Sequence, residues 1–260
     1  MKALMLDLDG VLYQGGSAIP GAKESITWLN EHNIPHLFVT NTSSRPRRAV
    51  CNKLAAMGIE VQEGSILTPP VAACQWIKIN KPDPSVLLVQ NETLIDFEGI
   101  TTLPNDAESG AGNIVIGDLG EQWDYSLLNR TFRLLMAEPA PTLIALGMTR
   151  YWRAEDGLRL DVAPFVKALE HASGCEARVL GKPSSDFFHQ ALDLLDAKAD
   201  EVLMIGDDIV GDVQGAQLAG LSGALVKTGK FQPTDLKSSI SPDVIFESIA
   251  DLPSWCEASG

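Results

Sequence analysis

A run of four apolar residues, Ala3-Leu4-Met5-Leu6, leads directly into Asp7-Leu8-Asp9-Gly10-Val11. The run predicts a short buried β-strand that throws two carboxylates from its C-terminal end. In an open α/β sheet that end is where ligands bind. Side chains two apart leave a strand on the same side, so Asp7 and Asp9 share one locale. Two like charges this close are costly unless a cation or a shared proton relieves them. Gly10 lets the backbone turn sharply straight afterwards. The stretch asks for a metal ion, and the rest of the chain has to complete its site.

The next sixty residues repeat the strand–polar turn–helix pattern. Ala22 to Glu31 has a helical period, with Ile26 and Leu29 on one face. His36-Leu37-Phe38-Val39 is a second apolar run and ends in Thr40-Asn41-Thr42-Ser43-Ser44. Pro46 is predicted to open the next helix, where a missing N–H costs nothing, and Gly58 to end it. Such alternation implies a parallel sheet. From Thr68-Pro69-Pro70 the pattern changes. Predicted strands at 86–89, 99–103, 114–116 and 142–146 and a helix over 126–136 suffice for a small sheet of their own. Arg178-Val179-Leu180 then delivers Gly181-Lys182-Pro183, with Ser184 and Ser185 as N-cap candidates. Val202-Leu203-Met204-Ile205 ends in Gly206-Asp207-Asp208, with Asp212 one helical turn further on. Strands at 224–226 and 244–246 close the chain.

The expected fold class is therefore α/β: a doubly wound, Rossmann-like parallel sheet formed by residues 1–69 and 177–260, interrupted by an inserted α/β domain over 70–176. A chain of 260 residues allows two such domains.

Charge narrows the partners. The net charge is −14, which argues against nucleic acid or an anionic membrane surface as a partner. The four cysteines form no CxxC pair, so a zinc ribbon is not expected and a reduced, cytoplasmic protein is. The N-terminal apolar run is too short for a signal peptide, and no apolar stretch reaches membrane-spanning length.

Four predicted strand ends carry unusual polar groups: Asp7 with Asp9, Thr40 with Asn41, Lys182, and Asp207 with Asp208. In a doubly wound sheet these ends can converge on one crevice. Three carboxylates can hold a hard cation such as Mg²⁺. A lysine, a hydroxyl, an amide and helix N-termini can hold a phosphate dianion. A carboxylate is left to attack phosphorus, and its neighbour to move protons.

The order DLDGV, VTNTSSR, GKP and GDD with a further Asp resembles the haloacid dehalogenase (HAD) superfamily, and the insertion resembles its C2-type cap. The NagD-like subfamily, IIA, is the nearest match. Arg150-Tyr151-Trp152-Arg153, Asp156-Gly157-Leu158 and Gly181-Lys182-Pro183 are similar to the phospholysine phosphohistidine inorganic pyrophosphate phosphatase branch. Where many subfamily members carry Asn-x-Asp, this chain has Arg150-Tyr151.

The resemblance implies a Mg²⁺-dependent phosphatase for a small phosphorylated substrate. Asp7 would be nucleophile and metal ligand. Asp9 would be general acid/base, with its main-chain carbonyl a metal ligand. Thr40 and Asn41 would bind the phosphoryl group, Lys182 would screen Asp7, and Asp207 would bind metal. Asp208 and Asp212 would support the site, and a homodimer would form through the cap.

Other readings compete. An EF-hand would need ligands where Val11 and Ala18 stand, and a P-loop fails at Glu176 and Pro183. Asp118 in Ile116-Gly117-Asp118 imitates the later Gly-Asp motif without a second acid, and is expected in a turn. A receiver-like phosphoryl-binding module without turnover, or a phosphotransferase, would use the same strand ends.

Overall fold

A computed structural model describes residues 2–154 and 156–259. In chain order the first segment holds β1 (Ala3–Leu6), β2 (Tyr13–Gln14), β3 (Ser17–Ala18), α1 (Ala22–Glu31), β4 (His36–Val39), α2 (Arg47–Ala56) and β5 (Ile66–Leu67). There follow α3 (Pro69–Asn80), β6 (Ser85–Leu88), β7 (Thr102–Leu103), β8 (Asn113–Ile116), α4 (Tyr125–Leu135) and β9 (Thr142–Ala145). After these come β10 (Tyr151–Ala154), β11 (Gly157–Leu160), α5 (Val162–Ser173) and β12 (Arg178–Val179). The last segment holds α6 (Ser185–Leu195), β13 (Val202–Gly206), α7 (Gly215–Leu218), β14 (Ser222–Val226), β15 (Val244–Phe246) and α8 (Leu252–Ser259).

The chain divides into two compact units, one of Met1–Thr40, Arg48–Leu67 and Lys182–Gly260, the other of Asn41–Arg47 and Thr68–Gly181. The first is built on a six-stranded sheet of order β15-β14-β13-β1-β4-β5. Every pairing in it is parallel. Successive strands run outward from β1 through β4 to β5, and from β13 through β14 to β15 on its other side, so the sheet is doubly wound and the winding reverses at β1. β1 is buried at all four positions, as a strand covered on both faces must be. Its leucines Leu4 and Leu6 pack with Leu29 of α1, Phe38 of β4, Leu54 of α2 and Ile205 of β13 in one core.

The second unit is a five-stranded parallel sheet of order β12-β9-β8-β6-β7. Its core joins Val86 and Leu88 of β6, Ile114 and Ile116 of β8, Leu134 of α4 and Val166 of α5. Trp123 stacks on Phe165 at 4.5 Å between ring centroids. A separate antiparallel hairpin, β10–β11, stands apart from that sheet.

Several local expectations are corrected. Pro46 stands one residue ahead of α2 instead of opening it. The strand expected over 99–103 shrinks to Thr102–Leu103. Ser184 occupies the N-cap of α6, but its side chain makes no capping bond. β12 pairs with β9, so the strand before Lys182 belongs to the inserted sheet and not to the six-stranded one. Residues 209–214 form a π-helix leading into α7. The β10–β11 hairpin was not among the expected elements. The side chain of Arg153, in the motif beginning at Arg150, lies outside the described residues.

Candidate active site

The site grows from parallel register. Leu6 of β1 pairs with Ile205 of β13, and Asp7 N–H donates to the Ile205 carbonyl at 2.9 Å. Adjacent parallel strands lie about 4.8 Å apart, so the residues leaving β1 and β13, Asp7 and Asp207, emerge side by side. β4 flanks β1 on the other side and ends at Val39.

Lys182 fills the space between these ends. Its Nζ donates to Asp7 Oδ1 at 2.7 Å and to the Val39 carbonyl at 3.1 Å, and lies 2.6 Å from Asp212 Oδ1. All three side chains are buried. Burial alone would lower the lysine pKa, but Asp212 and then Asp7 more than offset it, and the net direction is up. The ammonium is held charged.

Asp207 is 1% exposed. One oxygen, Oδ2, accepts the Lys230 main-chain N–H at 2.6 Å. The other, Oδ1, is buried and has no hydrogen-bond partner. Burial pushes the Asp207 carboxyl up to about 7; Asp7 and Asp212 add to the shift and the Lys230 N–H opposes it. Asp212 is pushed up to about 6, again by burial first, against the pull of Lys182. One buried ammonium is too little counter-charge for three buried carboxylates.

Among the described residues, Asp7, Asp207 and Asp212 each offer an oxygen within 4.8 Å of the others. Hard oxygen donors, an orphaned buried oxygen and surplus negative charge fit a divalent cation. The expected trio named Asp9 in place of Asp212. The Asp9 side chain is exposed, and the role expected for Asp9 at the metal rests on its main-chain carbonyl.

The remaining expected residues are distributed as follows. Asp208 caps the π-helix, accepting N–H groups of Val210 at 3.0 Å and Gly211 at 2.8 Å. Burial opposes its ionisation, but these bonds and Lys230 win, and its pKa is lowered. Asp212 Oδ2 accepts the Asp208 N–H at 3.1 Å, which ties the two acids together. Thr40 is buried and its N–H donates to the Leu67 carbonyl at 3.2 Å. Asn41 begins the second unit. Asp118 accepts the Gly120 N–H at 2.9 Å, a local turn.

Comparison with known proteins decides the family. A profile of haloacid dehalogenase-like hydrolases matches residues 4–97 and a HAD-hydrolase-like profile matches residues 179–252. Human phospholysine phosphohistidine inorganic pyrophosphate phosphatase is 40% identical over 239 residues, covering 90% of this chain and 86% of the human protein.

The chain belongs to the haloacid dehalogenase-like hydrolase family.

This HAD-type hydrolase is an enzyme. A p-nitrophenyl phosphatase from Archaeoglobus fulgidus superposes with a TM-score of 0.87 at 27% identity, over 98% of each chain. NagD from E. coli superposes at 0.86 with 20% identity, over 96% of this chain and 98% of its own, a likeness of fold. No described helix of this HAD hydrolase is long and apolar enough to cross a membrane.

The sequence reading passed over Thr228, whose hydroxyl donates to the Gly10 carbonyl, and Gly229 and Lys230, which lie against the acids directly. The signal was present: β14 is another strand of the same sheet, and Lys227-Thr228-Gly229-Lys230 follows its end.

Proposed function

We propose that this chain is a Mg²⁺-dependent phosphatase that works through an aspartyl-phosphate on Asp7. The observation that carries the reading is the buried Lys182 bound to Asp7 beside the unpartnered Asp207 Oδ1. A carboxylate gripped by a lysine is oriented and screened, so an anionic phosphoryl group can approach it. Asp7 attacks phosphorus in line and displaces the leaving group. Lys182 neutralises charge on the oxygens of the phosphoryl group. Thr40 and Asn41 hold those oxygens by hydroxyl and amide. Asp9 protonates the leaving group, oxygen in pyrophosphate or nitrogen in a phosphoramidate, then takes a proton from the water that hydrolyses the intermediate. Its exposure suits a group that must exchange protons with solvent. Asp7, Asp207 and the Asp9 carbonyl would hold Mg²⁺, with Asp208 and Asp212 in support, and the bound ion would supply charge neutralisation and orientation of the phosphoryl group.

The substrate is a small phosphorylated compound. The 40% identity to a phosphatase named for phospholysine, phosphohistidine and inorganic pyrophosphate supports a phosphoramidate or pyrophosphate over a phosphomonoester. Residues 70–176 are assigned as the C2-type cap that chooses it, with residues 1–69 and 177–260 as the catalytic core. Four widely scattered cysteines with no CxxC pair are in keeping with a reducing, cytoplasmic setting. A homodimer through the cap is supported by the exposed Tyr151, Leu158 and Leu160 on one face of the β10–β11 hairpin.

The test is hydrolysis of p-nitrophenyl phosphate with and without Mg²⁺, in the native chain and in Asp7→Asn. Mg²⁺-dependent turnover is expected, with a loss on the order of a thousandfold or more in the variant at unchanged circular dichroism. Full activity in Asp7→Asn removes the nucleophile. Silence of the native chain under both conditions favours a phosphoryl-binding module instead.

A further inference from the structure

The segment after β14 reaches back to the acid cluster at three consecutive residues, all within the first unit. The Thr228 hydroxyl donates to the Gly10 carbonyl. The Lys230 main-chain N–H donates to Asp207 Oδ2 at 2.6 Å, and its Nζ lies 3.5 Å from Asp208 Oδ2. Gly229, between them, has φ +62°; a Cβ there would stand 2.0 Å from Asp207 Oδ2 and 2.4 Å from Gly10 Cα. Gly10 is matched to it: with φ +87°, its own Cβ would stand 1.9 Å from Asp207 Oδ2 and 3.0 Å from Gly229 Cα. Two glycines thus let three backbones close on a single carboxylate.

This packing has a chemical result. A carboxylate bound by one oxygen to a main-chain N–H cannot rotate freely, and its second oxygen is aimed. Here the aimed oxygen is the buried, unpartnered Oδ1. The same segment fixes the turn that presents the Asp9 carbonyl, through the hydroxyl bond to Gly10. Outer groups that orient ligands govern how tightly a metal is held.

We propose that Thr228-Gly229-Lys230 is the positioning element of the cation site, locking Asp207 by Oδ2 so that Oδ1 is offered, and tying the Asp7–Gly10 turn to it. The inference rests on the phosphatase reading above, which assigns Asp207 and the Asp9 carbonyl to Mg²⁺.

The test is calorimetric titration of the full chain with Mg²⁺ alone, alongside thermal unfolding in chelator. Thr228→Val removes the hydroxyl at nearly constant volume, Thr228→Ser keeps it, and Gly229→Ala pushes Asp207 aside. Thr228→Val and Gly229→Ala are expected to weaken Mg²⁺ binding by roughly 10- to 100-fold, the usual effect of losing a ligand's outer partner, while Thr228→Ser stays within about twofold. The rate of Thr228→Val on p-nitrophenyl phosphate should return at saturating Mg²⁺. In the native chain the Lys230 amide should be protected from hydrogen exchange, a reading that needs no variant to fold. Native Mg²⁺ affinity in Thr228→Val with only a lowered melting temperature, or a freely exchanging Lys230 amide, overturns the positioning role and leaves the phosphatase reading standing. A native chain that neither binds Mg²⁺ nor turns over substrate overturns both.

Discussion

The ammonium of Lys182 donates to Asp7 Oδ1 at 2.7 Å, although the two residues are 175 positions apart in the chain. The pair is almost wholly withdrawn from water, with side chains 4% and 9% exposed. A buried ion pair survives only where geometry and further hydrogen bonds repay desolvation. Here Asp212 and the Val39 carbonyl supply them. The arrangement does more for chemistry than for stability: it holds one carboxylate oriented against a buried ammonium.

Breaking that pair from the cationic side should therefore be expensive. Lys182→Met leaves Asp7 and Asp212 buried without their shared counter-ion. A destabilisation of about 3–5 kcal/mol is expected, the range for removing one partner of a buried pair, together with loss of turnover. Urea unfolding in metal-free buffer measures it; a midpoint shift equivalent to under about 1 kcal/mol would contradict the description of Lys182 as the site's structural counter-charge.

A pH dependence follows from Asp161, the N-cap of α5. Its side chain accepts the Val162 N–H at 2.8 Å. Burial first, and Asp118 in addition, raise its pKa above the ordinary 3.8, against the pull of the Val162 bond. An acid whose folded pKa is raised binds protons more readily in the folded state. Its cost to stability is absent below 3.8, grows as pH climbs towards the folded value and is complete above it. Asparagine caps as well as aspartate and carries no charge. Asp161→Asn should thus raise the melting temperature at pH 7, and the gain should fade as pH falls through the carboxylate range. A gain independent of pH would show that charge burial is not the cause.

The exposed face of the β10–β11 hairpin bears on assembly. Tyr151 pairs with Leu160 across the hairpin, and Leu158 lies two residues from Leu160 on the same strand, so all three share a face. They are 51%, 62% and 62% exposed, an apolar patch with two unpaired strand edges beside it. Light scattering is expected to report a dimer for the native chain and a monomer for the double variant Leu158→Glu, Leu160→Glu, with p-nitrophenyl phosphate hydrolysis as a check on folding. A native monomer at micromolar concentration refutes assembly through this face.

The features of the site that could be read in the sequence are those that local pattern determines. β1 and β13 are unbroken apolar runs stopped by acids, and a run of that kind has only one use in a sheet covered on both faces. Asp7 and Asp207 could be picked out because each follows directly on such a run, and Lys182 because it stands in the Gly181-Lys182-Pro183 turn. The hairpin could not: its strands are four residues each, and the adjacent Tyr151 and Trp152 break the period-two pattern in β10. Nor could the membership of β12, since two residues, Arg178 and Val179, pair with whichever sheet edge is near.

What the sequence by itself determined is the central strands β1, β4 and β13 and the polar residue that follows each, because periodicity and the abrupt change from apolar to polar are properties of neighbours in the chain. What only the tertiary structure decided is how those residues are paired and aimed. It put Asp212 in the buried acid trio, gave Lys182 to Asp7 and Asp212 together, and closed Thr228-Gly229-Lys230 on Asp207. The physical reason is that hydrogen bonds, burial and charge balance act through space over a few ångströms. Residues 10, 207 and 229 become neighbours only when β1, β13 and β14 lie side by side in one sheet.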